Sequence, residues 1–298
     1  MNFEEAAAKM RGPRNMHIIC IDVTNRCDLA CSNCTRLLAQ QDKLWDMTPD
    51  NFRLALQSLK GYFGIIAMLG GNPCMHPKFP ELCRIFEEEI PEKLQRGLWT
   101  NNPFKHEELC RQTFGTFNLN AHGEARASPA LDRIPDAARQ DGRIAWTYMG
   151  NSVHAPLLTA VKDVYATGEM WEKISQCEIN RDWSASIVQN KAGELRAYFC
   201  EVAASFDLAR GQDHGHPVFP GWWNQHIAAF KDQIAHFCPG CGVPAKMKAQ
   251  KDTDETDTYT RSNSDIALGS RARGRKVNLM TRAEIDPNRV THYGSDMK

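Results

Sequence analysis

The chain has no excess charge of either sign: its 298 residues hold 36 Lys and Arg against 36 Asp and Glu. This balance gives no electrostatic basis for non-specific binding to DNA, RNA or an anionic membrane, though a nucleotide-sized ligand needs only a local pocket. Long apolar runs are also missing, and none approaches the roughly 18–20 residues of a membrane span. The opening stretch MNFEEAAAKMRGPRNM is acidic early and has no apolar segment of roughly 7–15 residues behind a basic start, so no signal peptide is read there. There is no internal repeat. These absences predict a cytoplasmic protein with no membrane partner.

What is present is enough apolar residue for a core, 42% of the chain, and eleven cysteines. Disulfides are rare in reducing compartments, so so many cysteines point to metal or redox chemistry. Short apolar runs at 17–23, 63–69, 97–100 and 116–120 read as strands, with a fifth at 143–149. Between them, Thr48-Pro49-Asp50 opens a helix, with Pro at its first position and Phe52, Leu56 and Leu59 at helical spacing. Leu82, Ile85, Phe86 and Ile90 mark a second helix, 104–113 a third, and 156–175 is helical in pattern. Strand–helix alternation with short connections predicts an α/β fold of parallel βαβ units, an open sheet or a full or partial barrel. In either, functional loops lie at the carboxyl ends of the strands.

Cys27-Asp-Leu-Ala-Cys31-Ser-Asn-Cys34 puts three thiolates within eight residues, directly after the first strand. A loop can wrap so short a stretch around one iron–sulfur cluster, whose usual ligands are thiolates. A structural zinc site would want a fourth ligand, and none is obvious nearby. A second chemical motif, Gly70-Gly71-Asn72-Pro73, directly follows the second strand. Four more cysteines, Cys177, Cys200, Cys238 and Cys241, form a later set that could close a [4Fe–4S] cluster or an all-cysteine zinc site. Cys20, Cys74, Cys83 and Cys110 read as buried apolar fillers.

The Cys-x3-Cys-x2-Cys spacing within VTNRCDLACSNC resembles the signature of the radical S-adenosylmethionine (SAM) superfamily. The resemblance implies a partial (β/α)6-type parallel barrel. It also implies a [4Fe–4S] cluster held by Cys27, Cys31 and Cys34, whose open fourth iron chelates SAM and donates the electron that yields a 5′-deoxyadenosyl radical. Gly70, Gly71, Asn72 and Pro73 are similar to that family's Gly-Gly-Glu-Pro motif at the SAM amino group. Here Asn72 stands for the usual acid, which turns a charge-assisted contact into a neutral one. Asn33 takes the place of an aromatic residue near the adenine, and Thr100 and Asn101 resemble the polar end of the third strand. Asn120 and His122 are further candidates for the SAM ribose or the substrate. No residue is assigned as acid, base or hydrogen donor.

The later cysteines resemble the twitch/SPASM auxiliary module, in which one cysteine precedes a hairpin, a second ends it and a CxxC completes the set. Six residues separate Gly193 from Cys200, where relatives usually have four. The resemblance implies a second, auxiliary [4Fe–4S] cluster in a small C-terminal β-hairpin/helix module. The domains expected are an N-terminal extension at 1–16, a radical SAM core at 17–175, the auxiliary module at 176–245 and a polar, partly disordered tail at 246–298. With only about 16 residues before the first strand, no peptide-recognition domain is expected there. A small polar substrate is favoured: a sugar, a cyclitol or a nucleoside/nucleotide, oxidised, isomerised or rearranged, with a flavodoxin- or ferredoxin-type reductant. The alternative within the family is a phage-type isomerase of glycyl-modified thymidine, acting in the host cytoplasm. Outside it stand a non-enzymatic two-cluster electron carrier and a zinc-binding interaction module. Trp222 and Trp223 read as packing core ahead of a stacking surface.

Overall fold

The computed structural model describes residues 1–120, 145–149, 153–247, 250–251, 256–267 and 276–281. Strand β1 (Ile18–Thr24) lies inside the sheet and its side chains alternate between two faces. Ile19, Ile21 and Val23 join the main core, whereas Cys20 meets Ala67 and Trp99 in a separate small cluster. Strands β2 (Ile65–Gly70), β3 (Arg96–Thr100), β4 (Thr116–Asn120) and β5 (Ala145–Met149) add in chain order, each parallel to the one before. Crossovers that always step in one direction keep one hand and hence one helical face, which is the winding of a barrel-type sheet. The face with Cys20, Ala67 and Trp99 is then its inner one.

β6 (Val153–His154) leaves this sheet to pair with a later strand. β7 (Ser184–Gln189) returns beside β1 and parallel to it, and β8 (Leu195–Tyr198) and β9 (His216–Pro217) follow antiparallel. The eight-stranded order is β5-β4-β3-β2-β1-β7-β8-β9. The hairpin expected to open a separate module at 176 therefore extends the core sheet. Its turn matches the sequence: Asn190 Oδ1 accepts from the N–H groups of Ala192 (3.0 Å) and Glu194 (2.9 Å), and Gly193 supplies the positive φ of 84°.

Helix α1 (Phe3–Lys9) begins in a capping box between Asn2 and Glu5. α2 (Pro49–Ser58) starts as its sequence predicts, with Thr48 Oγ1 accepting from the Asn51 N–H at 3.1 Å. It packs on α3 (Phe79–Glu89) through an edge-on contact of Phe52 and Phe86, ring centroids 5.6 Å apart. α4 (Glu107–Thr113) follows. The 156–175 stretch is helical in two pieces, α5 (Val161–Val164) and α6 (Thr167–Ser175). Between them extended backbone at Tyr165 and Ala166 breaks the helix, and the buried Tyr165 hydroxyl reaches the Ala245 carbonyl, 3.3 Å away.

α7 (Glu178–Asp182), α8 (Glu201–Arg210) and α9 (Lys231–Phe237) surround the later cysteines. Trp222 and Trp223 are buried, as packing core requires. Among the described residues no helix is long and apolar enough to cross a membrane.

Parts of the polar tail are ordered against the core. β10 (Gln250–Lys251) pairs with β6, and β11 (Thr256–Tyr259) pairs in parallel with β12 (Lys276–Leu279). α10 (Ser264–Ala267) follows β11. Asp257, Thr258, Thr260 and Asn263 are at most 2% exposed. The side chains of Asp257, Thr260 and Asn263 bind core backbone, so low apolar content there reflects hydrogen bonding and not lack of structure. The rest of the tail, 248–249, 252–255, 268–275 and 282–298, lies outside the described residues.

Candidate functional site

The segment before the triad is held by its own side chains. Thr24 Oγ1 donates to Asp46 Oδ1 at 2.7 Å, and Arg26 Nε lies 2.9 Å from Asp46 Oδ2. Asn25 Nδ2 donates to Gln41 Oε1 (2.9 Å) and to the Lys43 carbonyl (2.7 Å), while its Oδ1 accepts from the Trp45 N–H at 2.9 Å. Thr-Asn-Arg thus fixes the chain as it enters the cysteine loop.

The glycines at the end of β2 close on the same segment. Gly70 has φ +130°, and a Cβ there would lie 2.2 Å from the Thr24 carbonyl oxygen. The Gly71 N–H donates to the Thr24 carbonyl at 2.7 Å and the Asn72 N–H to that of Arg26 at 2.6 Å. The close approach that glycine permits here is to the cysteine loop itself.

A cavity open to solvent lies at the carboxyl ends of β1, β2 and β3. Cys27, Cys31 and Cys34 line it together with Gly70, Gly71, Thr100, Asn101 and Trp99. Asn101 Nδ2 donates to Asp28 Oδ1 at 2.8 Å, while its buried Oδ1 has no hydrogen-bond partner. Such an orphaned acceptor costs free energy unless a ligand or water supplies a donor. Burial raises the Cys34 thiol pKa, opposed by backbone N–H groups and by the charge of Arg36.

Asn33, Asn72 and Pro73 stand outside that lining. Asn72 is fully buried; its Nδ2 donates to the Asn102 carbonyl (2.9 Å) and its Oδ1 accepts from Thr100 Oγ1 (2.7 Å) and the Cys74 N–H (3.1 Å). A neutral amide at this position ties the ends of β2 and β3 together by donating and accepting at once, which a carboxylate cannot do. Asn33 sits at φ +51°, and its N–H donates to Asp257 Oδ1 at 2.8 Å. Asn120 ends β4, and His122 lies outside the described residues.

Asp257 was not singled out from sequence, yet its other oxygen accepts from Gln40 Nε2 at 3.0 Å, and Ser32 Oγ donates to the neighbouring Thr256 carbonyl. Six residues on, Asn263 Nδ2 donates to the Gly240 carbonyl at 2.7 Å, between Cys238 and Cys241. One segment of the tail therefore grips both cysteine sites. A lone buried Asp in a polar run gives no sequence signal of this.

Cys177, Cys200, Cys238 and Cys241 line a second, small and mainly apolar cavity with Phe199, Phe206 and Phe237. Cys177 and Cys200 are the N-caps of α7 and α8, where backbone N–H groups reach their sulfurs. Burial still pushes the Cys200 thiol up to about 12, and the other three are also raised, chiefly by burial. Converging thiols that apolar walls disfavour as free thiolates, yet that helix starts can solvate, suit a bound metal group, whose charge offsets theirs. Among the described residues no three His, Cys, Asp or Glu side chains close on one point as around a single ion. Ligands of a cluster bind different irons and stand further apart.

No protein-family model matches the chain, and no curated protein does. Among solved structures, BtrN in complex with AdoMet and 2-DOIA aligns at 16% identity over 76% of this chain and 92% of that one, with a TM-score of 0.49. BtrN in an open conformation aligns at 13% identity over 76% and 87%, with a TM-score of 0.42. Streptococcus suis SuiB bound to precursor peptide SuiA aligns at 11% identity over 77% and 70%, with a TM-score of 0.36. All three scores fall below 0.5, so the site is read from its own residues.

Proposed function

We propose that the chain is a radical SAM enzyme acting on a small polar substrate. The observation that carries this reading is the single cavity shared by the three triad cysteines, the Gly70-Gly71 turn and the Thr100-Asn101 strand end. When bound, a [4Fe–4S] cluster with one iron free of protein thiolate supplies the electron that cleaves the SAM sulfonium. Cys27, Cys31 and Cys34 would hold the cluster, and Gly70, Gly71, Thr100 and Asn101 would border SAM. The orphaned Oδ1 of Asn101 offers an acceptor to a ligand amine or hydroxyl.

The substrate class is inferred from the inner face of the sheet. Asn118 pairs in register with the inward Trp99, and Ser186 with Cys20. Asn118 Oδ1 and Ser186 Oγ are buried there without hydrogen-bond partners. Polar groups left in that state suit a ligand rich in hydroxyl, amine or amide groups, such as a sugar, cyclitol or nucleoside/nucleotide. The second cysteine set would hold an auxiliary [4Fe–4S] cluster of the twitch/SPASM kind, and a flavodoxin- or ferredoxin-type protein would supply electrons.

The test is anaerobic reconstitution followed by reduction in the presence of SAM. Formation of 5′-deoxyadenosine by the wild type, and its loss in C27A, C31A and C34A, is the expected result. Undiminished 5′-deoxyadenosine from those variants would defeat the proposal.

A further inference from the structure

Arg36 follows Cys34 by two residues, and Glu201 directly follows Cys200. The two side chains meet inside the protein, although the sequence holds them 165 positions apart. Arg36 Nη1 lies 3.1 Å from Glu201 Oε1, and Nη2 donates to Glu201 Oε2 at 3.2 Å. Arg36 Nε lies 3.2 Å from Asp22 Oδ2 on the inner face of β1. Glu201 also accepts from the Ser184 hydroxyl on β7. Arg36, Glu201 and Asp22 are 4%, 5% and 2% exposed.

A buried charge group of this size is a poor source of stability, because desolvation offsets much of the attraction; what it supplies is a fixed geometry. We propose that Arg36 and Glu201 are a positioning pair that locks the triad loop to the start of α8 and makes the charge at each cysteine site felt at the other. This rests on both sites being iron–sulfur sites. Arg36 borders the cavity, but its guanidinium lies within ion-pair distance of both Asp22 and Glu201 and donates through Nη2 to Glu201, which sets it apart from a substrate clamp. Glu201 occupies the first turn of a ten-residue helix whose N-cap is Cys200, so any shift of the carboxylate is passed to that sulfur.

The electrostatic sign is fixed. A positive charge nearby stabilises the reduced, more negative state of a cluster, and a negative charge destabilises it. Removing the Glu201 charge must therefore raise the midpoint potential of its neighbour, the auxiliary cluster. Because that charge also partly neutralises Arg36, its removal raises the potential of the triad cluster as well. A merely structural glutamate would leave the distant cluster unmoved.

The experiment is an EPR-monitored redox titration of reconstituted full-length wild type, E201Q and E201D, with iron counted first. The expected result is an upward shift of both midpoint potentials in E201Q and values near wild type in E201D, which keeps the charge. An iron-replete E201Q whose triad potential equals that of the wild type overturns the coupling and leaves the proposed function intact. A wild type that takes up no iron defeats the function on which it rests. Should E201Q not fold, R36K keeps the charge while shortening its reach. A changed auxiliary-cluster EPR signal is then expected, and an unchanged one overturns the pair.

Discussion

A Cβ built on Gly71 would lie 2.1 Å from the carbonyl oxygen of Arg26. The residue after Arg26 is Cys27, so the β2 turn leaves no room for a methyl group against the backbone that leads into the first triad cysteine. Gly71→Ala must push the two segments apart or break the bonds that join them. Overpacking of this kind costs about 1–3 kcal/mol of stability. A displacement of about 1 Å at a reacting centre costs on the order of 100-fold in rate. The expected outcome is a folded G71A protein whose SAM cleavage falls by about that factor, measured as 5′-deoxyadenosine released per unit of bound iron. Wild-type rates in G71A would show that the close approach plays no part.

The second cysteine set gives an independent count. With both clusters formed the protein should hold about eight irons per chain, and C238A/C241A should lose about half of them. The triad should keep its iron in that variant, because its ligands lie in a different cavity. Iron content unchanged by the double substitution would remove the auxiliary cluster, and zinc in its place would identify a structural site.

The parts of this architecture that the sequence made legible are those written in periodic or clustered residues. The apolar runs of β1 and β2, the Thr48-Pro49 helix start and the Asn190–Gly193 turn carry their conformations locally. The triad was legible because three thiolates so close together have few other uses. Arg36, Glu201, Asp257 and Asn263 were not, because a polar residue that binds distant backbone or a distant charge looks in sequence like one that faces water. The described part of the tail hides its structure in sequence for the same reason: β11 is TDTY, yet Asp257 and Thr258 within it are buried. Asn72 was legible as a motif position but not in its role, since its partners at Thr100 and Asn102 come from the next strand.

Asp257 gives the tail a testable weight. Its carboxylate accepts from the Asn33 N–H and from Gln40 Nε2, both buried. Asp257→Ala leaves those donors without an acceptor, at about 1–3 kcal/mol for a buried group. The loop from Ser32 to Cys34 should then loosen. D257A is expected to melt at lower temperature, to exchange the Asn33 amide faster, and to hold less iron at the triad after reconstitution. Slow, wild-type exchange at Asn33 would mean that the tail only covers the loop.

His76 sets a pH dependence next to the glycine turn. Its Nδ1 accepts from the Lys78 N–H at 3.0 Å, which leaves the proton on Nε2, 2.9 Å from the Met47 carbonyl. A second proton on Nδ1 would face the Lys78 N–H and break that bond. Burial, the leading cause, holds the His76 pKa below its ordinary value of 6.5, against the Met47 bond and the Asp46 charge, which raise it. The unfolded chain takes up its proton near 6.5, the folded chain only at lower pH, so between the two values the unfolded state binds more protons. Stability from this group is full above that window and is lost as pH falls through it. His76→Gln removes the titration. The melting temperature of H76Q should therefore fall less than that of the wild type between pH 7 and pH about 5.5. Equal falls in the two proteins would place the acid sensitivity elsewhere, leaving His76 as a hydrogen-bonded strut between the turn at Pro73–Met75 and Met47.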